Sequence, residues 1–433
     1  MRPVRTNPVP PGSKGGSAAV RRVVSEAMIR PAAGPRPADS TTTPMVVVRA
    51  LNLAEQLLTR RHGATVTLAD PEDLGGSARS VVLRARVAAN PFGLPRSLVI
   101  KHYQRDATPG RADRFRHEAA SCQLFTALSG DRPSPELIAH DPANRLLVLE
   151  DLGRSSTLAD KLFGSDPAAA ERCLLTWARA LGRLHAVTAG REHDFDALLR
   201  RLGVRSWRDP MADEARMALA SMPDLVAGQL GVTVSPAAER EAHATARLLG
   251  GTRYRAFSPS DTCPDNNLVT SKGVKFVDFE WGCFRDVVLD AAYTRVPFPG
   301  CESSYAMPAG MPEAMLAAWR SEVVSVWPDL DEPARLAARL LDAQLLWVWL
   351  CTMQLLPKAL ADNALIGRDA TRSPRALLAL THYWALLARD AVVGNRPGTA
   401  ELADSMVAAL RTRLGDGPTQ LPLFPAFRHR DQG

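Results

Sequence analysis

The chain has 433 residues, of which 46% are hydrophobic and 23% charged, a composition that excludes wholly disordered, collagen-like and disulfide-stapled proteins. Its length corresponds to roughly two to three domains. The net charge is +7, but residues 1–44 carry seven cations and only two acids. Because the rest of the chain has little basic excess, we expect no nucleic acid among its partners.

Residues 1–44 are predicted to form a disordered basic tail, because they are rich in Pro, Gly, Ser and Arg and show no periodicity. An inert tail, a true start at Met45, an acidic partner and a transit peptide stay open as alternatives. No apolar segment follows Arg21-Arg22, so no secretory signal is evident. The cysteines are scattered without a C-x-x-C pair, which fits a reducing compartment, and we expect a cytoplasmic protein.

Residues 45–150 are predicted to form a β-rich lobe that contains helices. Two apolar segments flank a turn at 90–95, which indicates an antiparallel hairpin. A later segment places Phe115, Ala119 and Phe125 on one helical face. The predicted elements are a helix at 50–58, strands at 80–88 and 97–103, a helix at 114–128 and a strand at 146–150.

Residues 151–415 are predicted to form a mainly helical lobe with one small hairpin at 268–279, followed by a tail at 416–433. The strongest apolar run, 345–356, has 12 residues, fewer than the about 20 that cross a bilayer, so we predict a buried helix and no membrane span. Together the two lobes form an α+β chain with a cleft between them, where ligands tend to bind. The predicted helices lie at 168–188, 236–249, 312–327, 333–356, 374–394 and 400–414.

Three polar residues around the small hairpin provide the strongest chemical signal. Asp261 lies five residues before Asn266, and Asp278 is predicted at the end of the second strand of the hairpin. Transfer of a phosphoryl group from ATP needs a carboxylate that orients the attacking hydroxyl and hard oxygen ligands for Mg²⁺. The hairpin brings all three side chains within reach of one point.

Lys101 and Glu118 provide a second signal. Lys101 ends an apolar strand in a chain that has only six lysines, and Glu118 shares the apolar face of its helix with Phe115. A buried carboxylate is costly unless it is paired. We therefore predict an ion pair that directs the Lys101 ammonium at phosphates, although a solvated Glu118 is the alternative.

A third signal, Gly75-Gly76-Ser77, precedes the first strand of the large hairpin. Glycines in a turn between strands allow backbone N–H groups to approach phosphate. The segment matches neither G-x-x-x-x-G-K-[ST] nor G-x-G-x-x-G, so the P-loop and dinucleotide-binding folds lose their main support.

The order of these motifs resembles that of the aminoglycoside phosphotransferase / choline kinase-like family, whose members are small-molecule relatives of protein kinases. The resemblance covers about residues 45–415. It rests on Gly75-Gly76-Ser77, Val99-Ile100-Lys101, Glu118, the segments 147–153 and 181–186, Asp261 with Asn266, Asp278-Phe279-Glu280, and Asp286 with Asp290.

The resemblance implies a bilobal protein kinase-like fold, with a small antiparallel-sheet lobe and a larger helical lobe. It implies ATP and Mg²⁺ as cofactors. The implied roles are Asp261 as catalytic base, Asn266 and Asp278 as magnesium ligands, Lys101 on the ATP phosphates held by Glu118, the backbone of Glu150, Asp151 and Leu152 on adenine, and Asp286 and Asp290 as braces of the catalytic loop.

Pro259-Ser260 stands where the family has His-Gly before the catalytic Asp. That change puts the geometry of the loop in question. It keeps a catalytically weak nucleotide-binding pseudokinase or regulatory module as an alternative function. A kinase that acts on a peptide in natural-product maturation is a further alternative, while a protein kinase is disfavoured because no A-P-E segment is visible.

The predicted function is phosphorylation of a hydroxyl of a small molecule: an aminoglycoside, a sugar, an amino alcohol or a secondary metabolite. The acceptor is expected in the helical lobe, about residues 190–260 and 290–415. Acids there either meet a cationic acceptor or are solvated: Asp194, Asp196, Glu302, Asp342 and Asp362. His185 is expected in the core. No feature of the sequence indicates an oligomeric state.

Overall fold

The computed structural model describes residues 44–77, 79–89, 93–104, 113–207, 209–299, 301–362, 364–367 and 372–428. The predicted tail at 1–44 lies outside these residues except for its last position, and so does the end of the C-terminal tail. The described chain forms a lobe built on a five-stranded antiparallel sheet and a larger, mainly helical lobe. The predicted bilobal α+β fold is confirmed.

The first lobe has strand order β1-β2-β3-β5-β4, and every neighbouring pair is antiparallel. A helix, α1, packs on one face of this sheet and a second helix, α2, follows β3. The bounds are α1 Pro44–His62, β1 Thr67–Ser77, β2 Ser80–Ala89, β3 Ser97–Tyr103, α2 Arg114–Thr126, β4 Leu137–Asp141 and β5 Leu146–Glu150.

The small core of this lobe follows from two periodicities. Alternate residues of β2, such as Val81 and Leu83, are buried, because successive side chains of a strand point to opposite faces. On α1 the buried residues Ala50, Ala54 and Leu58 are four apart, so they form one stripe. The stripe of α1 packs against the buried face of the sheet.

The second lobe contains a large core of helices and two small sheets. The sheets have orders β6-β8-β9 and β10-β7. The bounds are β6 Ser156–Thr157, α3 Leu158–Leu162, α4 Pro167–Thr188, α5 Glu192–Arg201, α6 Pro210–Leu230, α7 Pro236–Ala244, β7 Arg255–Ser258, β8 Asn267–Thr270, β9 Gly273–Phe276, β10 Cys283–Asp286, α8 Val287–Ala291, α9 Met311–Val323, α10 Pro333–Asp362, α11 Ala376–Val393 and α12 Pro397–Leu414.

Several elements escaped the sequence prediction, among them β1, β4, α5 and α6. Strand β1 includes Asp70-Pro71-Glu72-Asp73, and β4 is only five residues long. An edge position lets β1 tolerate its proline and its register shifts. Helix α5 is mostly charged and buries only Phe195 and Leu199, and α6 contains Pro223. Contacts with other elements stabilise segments whose own patterns are weak.

Helices α10 and α11 are long and apolar enough to cross a membrane by length and composition. Of the apolar window in α10, 83% is buried inside the protein, and the share for α11 is 56%. The predicted apolar run 345–356 lies within α10, where Trp347 and Trp349 are fully buried. It is a buried helix as expected, and the absence of a membrane span stays a prediction.

Candidate active site

Lys101 lies on the central strand of the first lobe. It pairs with Val82 of β2 and Leu147 of β5, and Val82 pairs in turn with Gly75. The side chain is 7% exposed. Strand pairing therefore places the predicted lysine and the predicted glycines in one row across the sheet, about 10 Å apart.

Glu118 projects from α2 toward that row and is 2% exposed. Its Oε2 lies 2.7 Å from Lys101 Nζ. The same carboxylate oxygen accepts a hydrogen bond from the Tyr103 hydroxyl. The predicted contact between Lys101 and Glu118 is present, and Glu118 is not solvated.

Asp278 reaches the same lysine from the helical lobe. Its Oδ1 lies 2.7 Å from Lys101 Nζ, across 177 positions of the chain. The strand predicted to extend through 279 ends at Phe276, and Asp278 follows it with φ of +66°. The change to a left-handed backbone ends the ladder and turns the carboxylate toward the first lobe.

Phe279 anchors this segment from behind. Its ring is 4.9 Å from that of Phe125 on α2 and 5.9 Å from that of Phe257 on β7. Phe125 and Phe257 are themselves 4.8 Å apart. Edge-to-face packing of three buried rings thus connects α2, β7 and the Asp278 segment.

Burial and charge act in opposite directions on this cluster. Burial by itself lowers the pKa of Lys101, but the carboxylates of Asp278, Glu118 and Glu280 outweigh it and raise that pKa. Burial raises the pKa of Glu118, while Lys101 and Tyr103 lower it. The lysine therefore stays cationic, and its charge holds the two carboxylates together.

Sequence reasoning missed a second contact between the lobes. Arg114, the first residue of α2, lies 3.2 Å from Glu280 Oε1 and 4.6 Å from the centre of the Trp281 ring. Trp281 Nε1 donates to the same Glu280 oxygen at 2.8 Å. The sequence signal that could have revealed this contact is Glu280-Trp281, the acidic and aromatic pair directly after Asp278-Phe279.

Asp261 and Asn266 lie in the short loop between β7 and β8. Cys263 N donates to Asp261 Oδ1 at 3.2 Å, and Asn266 Nδ2 lies 3.5 Å from the Asp261 carbonyl. A single 3₁₀ turn, Pro264–Asn266, connects them, with Pro264 at its start. Backbone bonds within the loop, rather than regular structure, therefore set the orientation of both side chains.

Pro259-Ser260, which stands where the resembled family has His-Gly, forms a hydrogen-bonded turn. Ser260 has φ of +62°, a left-handed conformation that glycine adopts more easily. Its N–H donates to Ser258 Oγ at 3.0 Å, and its carbonyl accepts from the Tyr293 hydroxyl at 3.4 Å. Neighbouring hydroxyls thus stabilise the turn that a glycine would adopt without strain.

Asp290 of α8 supports this loop, and Asp286 lies just before α8 at the end of β10. Asp290 is fully buried and accepts bonds from Arg285 and from Ser258 Oγ, while His185 Nε2 lies 3.1 Å away. Burial opposes its ionisation, but Arg285, His185 and the Ser258 hydroxyl together outweigh burial and lower the pKa of Asp290 to about 2. Asp286 caps α8 through Val288 N. The contacts of Asp290 agree with the predicted bracing role, whereas those of Asp286 are with Thr252, Val288 and Arg339 outside the loop, and His185 is a core residue.

Gly75 and Gly76 lie in the paired end of β1 rather than in a free turn, opposite Val82 and Val81. Their φ angles are +95° and +136°. A Cβ on Gly76 would lie 2.3 Å from the Ser80 carbonyl oxygen. Only glycine therefore fits at Gly76, whereas Ser77 simply pairs with Ser80 at the end of the strand.

The connector between the lobes begins at Glu150, whose N–H donates to the Glu136 carbonyl at 2.9 Å. Asp151 accepts from Arg84 Nε at 2.9 Å and from Ser97 Oγ at 2.6 Å. The Asp151 carboxylate thus ties the connector to the sheet. Contact of the backbone at Glu150, Asp151 and Leu152 with adenine stays a prediction.

The oxygens of Asn266 and Asp278 suit a hard cation. Asp265, the residue before Asn266, is a further acid: burial raises its pKa, and Arg372 Nη1 lies 3.5 Å from its Oδ1. Among the described residues no group of three or more His, Cys, Asp or Glu forms a metal site. A two-ligand set fits Mg²⁺, which keeps waters and takes further oxygens from substrate phosphates.

A cavity of about 770 Å³ opens in the helical lobe, and no residue of the Asp261 loop, 259–266, is part of its lining. Arg285 on its wall bonds the Tyr293 hydroxyl at 3.0 Å, and that hydroxyl reaches the Ser260 carbonyl. Its lining is aromatic and acidic as well as basic: it includes Glu192, Asp196, Trp207, Asp209, Phe284 and Arg285.

The acids considered for a cationic acceptor differ in their surroundings. Asp342 is 1% exposed and pairs with Arg247 and with Arg396 at 2.9 Å. It is neither solvated nor accessible to an acceptor, because two guanidinium groups enclose it. Asp196 lines the cavity, Asp194 is exposed, and the side chain of Asp362 lies outside the described residues.

Comparisons with known proteins give structural neighbours only. No protein-family model and no curated protein matches the chain. It is similar to choline kinase from Cryptosporidium parvum Iowa II (12% identity, 77% of this chain and 93% of that chain, TM-score 0.46). It is similar to choline kinase from Streptococcus pneumoniae (15% identity, 78% of this chain and 98% of that chain, TM-score 0.39). It is also similar to an aminoglycoside phosphotransferase from Alicyclobacillus acidocaldarius (14% identity, 87% of this chain and 97% of that chain, TM-score 0.42).

Proposed function

We propose that the protein is an ATP- and Mg²⁺-dependent phosphotransferase of the aminoglycoside phosphotransferase / choline kinase-like family, with a small-molecule hydroxyl as acceptor. One observation carries the proposal. A single buried ammonium, Lys101, contacts a carboxylate of its own lobe, Glu118, and one of the opposite lobe, Asp278, each at 2.7 Å. The cation is thereby held between the lobes, where it meets the phosphates of a nucleotide.

The chemistry divides among the residues around this cation. Asp261 orients the acceptor hydroxyl and takes its proton at the carboxylate. Asn266 and Asp278 hold Mg²⁺, which when bound neutralises charge on the phosphate oxygens. Backbone N–H groups of Gly76 and Ser77 bind phosphate, while that of Gly75 donates to Asp73 Oδ1 at 2.8 Å, and Lys101 supplies a fixed positive charge. Little covalent work is left to the protein beyond positioning.

The acceptor occupies the cavity of the helical lobe, whose wall residue Arg285 is linked through the Tyr293 hydroxyl to the Ser260 carbonyl, next to Asp261. Its aromatic walls, Trp207 and Phe284, provide apolar contact, and Asp196 and Asp209 provide hydrogen-bond acceptors. Burial raises the pKa of Asp209. The enzyme acts in the cytoplasm, which agrees with six cysteines that are all free thiols.

A catalytically weak pseudokinase is the competing function. Its support was Pro259-Ser260, but the Ser260 turn is bonded by Ser258 and Tyr293, and the Asp261 loop keeps a defined shape. An active enzyme is therefore the better proposal.

The test uses two variants and a matched control. Asp278→Ala should lose Mg²⁺-dependent ATP binding in calorimetry, because it removes a metal ligand. Asp261→Asn should bind MgATP with wild-type affinity, while transfer to an acceptor falls about 10²- to 10⁴-fold. Asp224→Asn changes an exposed carboxylate on α6 and should alter neither quantity.

Transfer is measured by mass spectrometry, as the gain of one phosphate on sugars, amino alcohols and aminoglycosides. Unchanged turnover in Asp278→Ala contradicts the metal assignment. Tight MgATP binding by the wild type without turnover on any acceptor favours the pseudokinase.

A further inference from the structure

Tyr103 is a site residue that none of the motifs includes. It lies two positions after Lys101 on β3, so both side chains point to the same face of the sheet. It is 2% exposed. Its ring is 6.0 Å from that of Phe115 at 74°, an edge-to-face contact that fixes the plane of the ring.

The Tyr103 side chain makes two contacts with the Lys101–Glu118 pair. Its hydroxyl donates to Glu118 Oε2, the same oxygen that contacts the lysine. Its ring centre lies 5.1 Å from Lys101 Nζ, within the range of a cation–π contact. The Tyr103 hydroxyl therefore hydrogen-bonds the Glu118 carboxylate, and the Tyr103 ring contacts the Lys101 ammonium of the same ion pair.

An ion pair at this position needs such a partner. Lys101 divides its donors between Glu118 and Asp278, so it does not by itself fix the position of a buried carboxylate. A carboxylate removed from water is stable only when further hydrogen bonds satisfy its lone pairs. The Tyr103 hydroxyl supplies one, from a ring that Phe115 holds in place.

We propose that Tyr103 is a positioning residue, which fixes the Glu118 carboxylate and through it the Lys101 ammonium at the nucleotide phosphates. The inference rests on the proposed function for its consequence in ATP binding. The contact itself is independent of any ligand, so the two are tested separately.

The variant Tyr103→Phe removes only the hydroxyl and keeps the ring, its contact with Phe115 and its place beside Lys101. Tyr383→Phe is the matched control. Tyr383 is 1% exposed, and its hydroxyl contacts Ser304 in the helical lobe. Each change deletes one buried hydroxyl with one hydrogen-bond partner, but only the first lies at the ion pair.

Lysine labelled with ¹⁵N at Nζ gives a readout with few signals, since the chain has six lysines. The Lys101 signal is assigned as the one lost in Lys101→Arg. Tyr103→Phe should shift or broaden this signal and weaken MgATP binding about tenfold, the effect of losing one hydrogen bond to a charged group. Tyr383→Phe should do neither.

An unchanged Lys101 signal in folded Tyr103→Phe overturns the proposal. Should that variant not fold, Glu118→Gln in protein with ¹³Cζ-tyrosine gives a second measurement. Five tyrosines are present, and Glu118→Gln should shift one tyrosine signal together with the Lys101 signal. Movement of the lysine signal alone refutes the link. Wild-type protein that binds no MgATP refutes the proposed function, while the lysine signal still decides the role of Tyr103.

Discussion

Ser260 and Asp278 both have positive φ angles, +62° and +66°, although neither is glycine. A left-handed conformation costs such residues about 1 kcal/mol or more, so it persists only where the surroundings enforce it. Ser258 and Tyr293 bond the first, and Lys101 bonds the second. Backbone strain is thus present on both sides of the proposed transfer site, next to Asp261 and at Asp278, the proposed metal ligand.

At the same scale, Gly76→Ala should destabilise the β1–β2 hairpin. The added Cβ meets the Ser80 carbonyl oxygen at 2.3 Å, and φ of +136° is unfavourable for alanine. We expect a loss of about 2 kcal/mol in the free energy of unfolding, measured in urea, and weaker MgATP binding. Gly63→Ala is the control, because φ there is +73° but no atom lies within 4 Å. Equal losses in the two variants would contradict the role of the close approach.

Helix α2 joins the two lobes through several side-chain contacts. It carries Glu118 toward Lys101, Arg114 toward Glu280 and Phe125 toward Phe279. His117 on the same helix is fully buried, with Nδ1 3.4 Å from the Gly282 carbonyl and its ring 4.6 Å from that of Trp207. One helix thus contacts both sides of the cleft.

The burial of His117 predicts a pH dependence. Burial lowers its pKa from 6.5 to about 4, so the folded protein binds this proton less readily than the unfolded chain. The stabilisation is complete above pH 6.5 and is lost as the pH falls from 6.5 to 4, by about 3 kcal/mol. In His117→Gln this contribution to the loss of unfolding free energy should be absent. The free energy of unfolding is measured in urea between pH 6.5 and 4.

His193→Gln is the control for the pH experiment, because His193 is exposed on α5. It should keep the wild-type dependence. His382 is half-buried, with a pKa lowered by burial to about 4, and it contributes to the remaining loss in both variants. A His117→Gln profile parallel to that of the wild type would contradict the assignment.

For the whole molecule, the proposed nucleotide site uses groups from both lobes. Lys101 and Gly76 come from the sheet, and Asp261, Asn266 and Asp278 come from the helical lobe. The lobes contact each other there through the ion pairs Lys101–Asp278 and Arg114–Glu280 and through the buried ring contact of Phe125 with Phe279. A ligand that bridges the groups should therefore stabilise the assembled molecule.

MgATP should raise the thermal midpoint of the protein, because a ligand that binds only the folded state adds about 2.7 kcal/mol at 100 times its Kd. The rise, followed by scanning calorimetry, should depend on Mg²⁺ and vanish in Asp278→Ala. Asp224→Asn should keep it. A rise of the same size with ATP and EDTA would show that the metal ligands take no part.

The candidate residues could be chosen from the sequence, because their types and order are local facts. Lys101 stands out in a chain poor in lysine, and Asp261, Asn266 and Asp278 follow spacings that phosphoryl transfer requires. Strong periodicity also predicted β2, β3, α2 and the long helices. Boundaries were less well determined: the strand predicted to reach 279 ends at Phe276, because Asp278 adopts a left-handed backbone.

Only the tertiary structure decided which groups meet. Tyr103 and Arg114 carry no motif, yet packing of α2 against β3 and the Asp278 segment gives each a partner in the site. Asp342 resembled a surface acid and is enclosed by Arg247 and Arg396. Strand β1 and helix α5 form although their own patterns are weak. The type and spacing of residues can be taken directly from the sequence. Burial and pairing depend instead on elements far away in sequence, and burial and pairing set the charge of a group and its contacts.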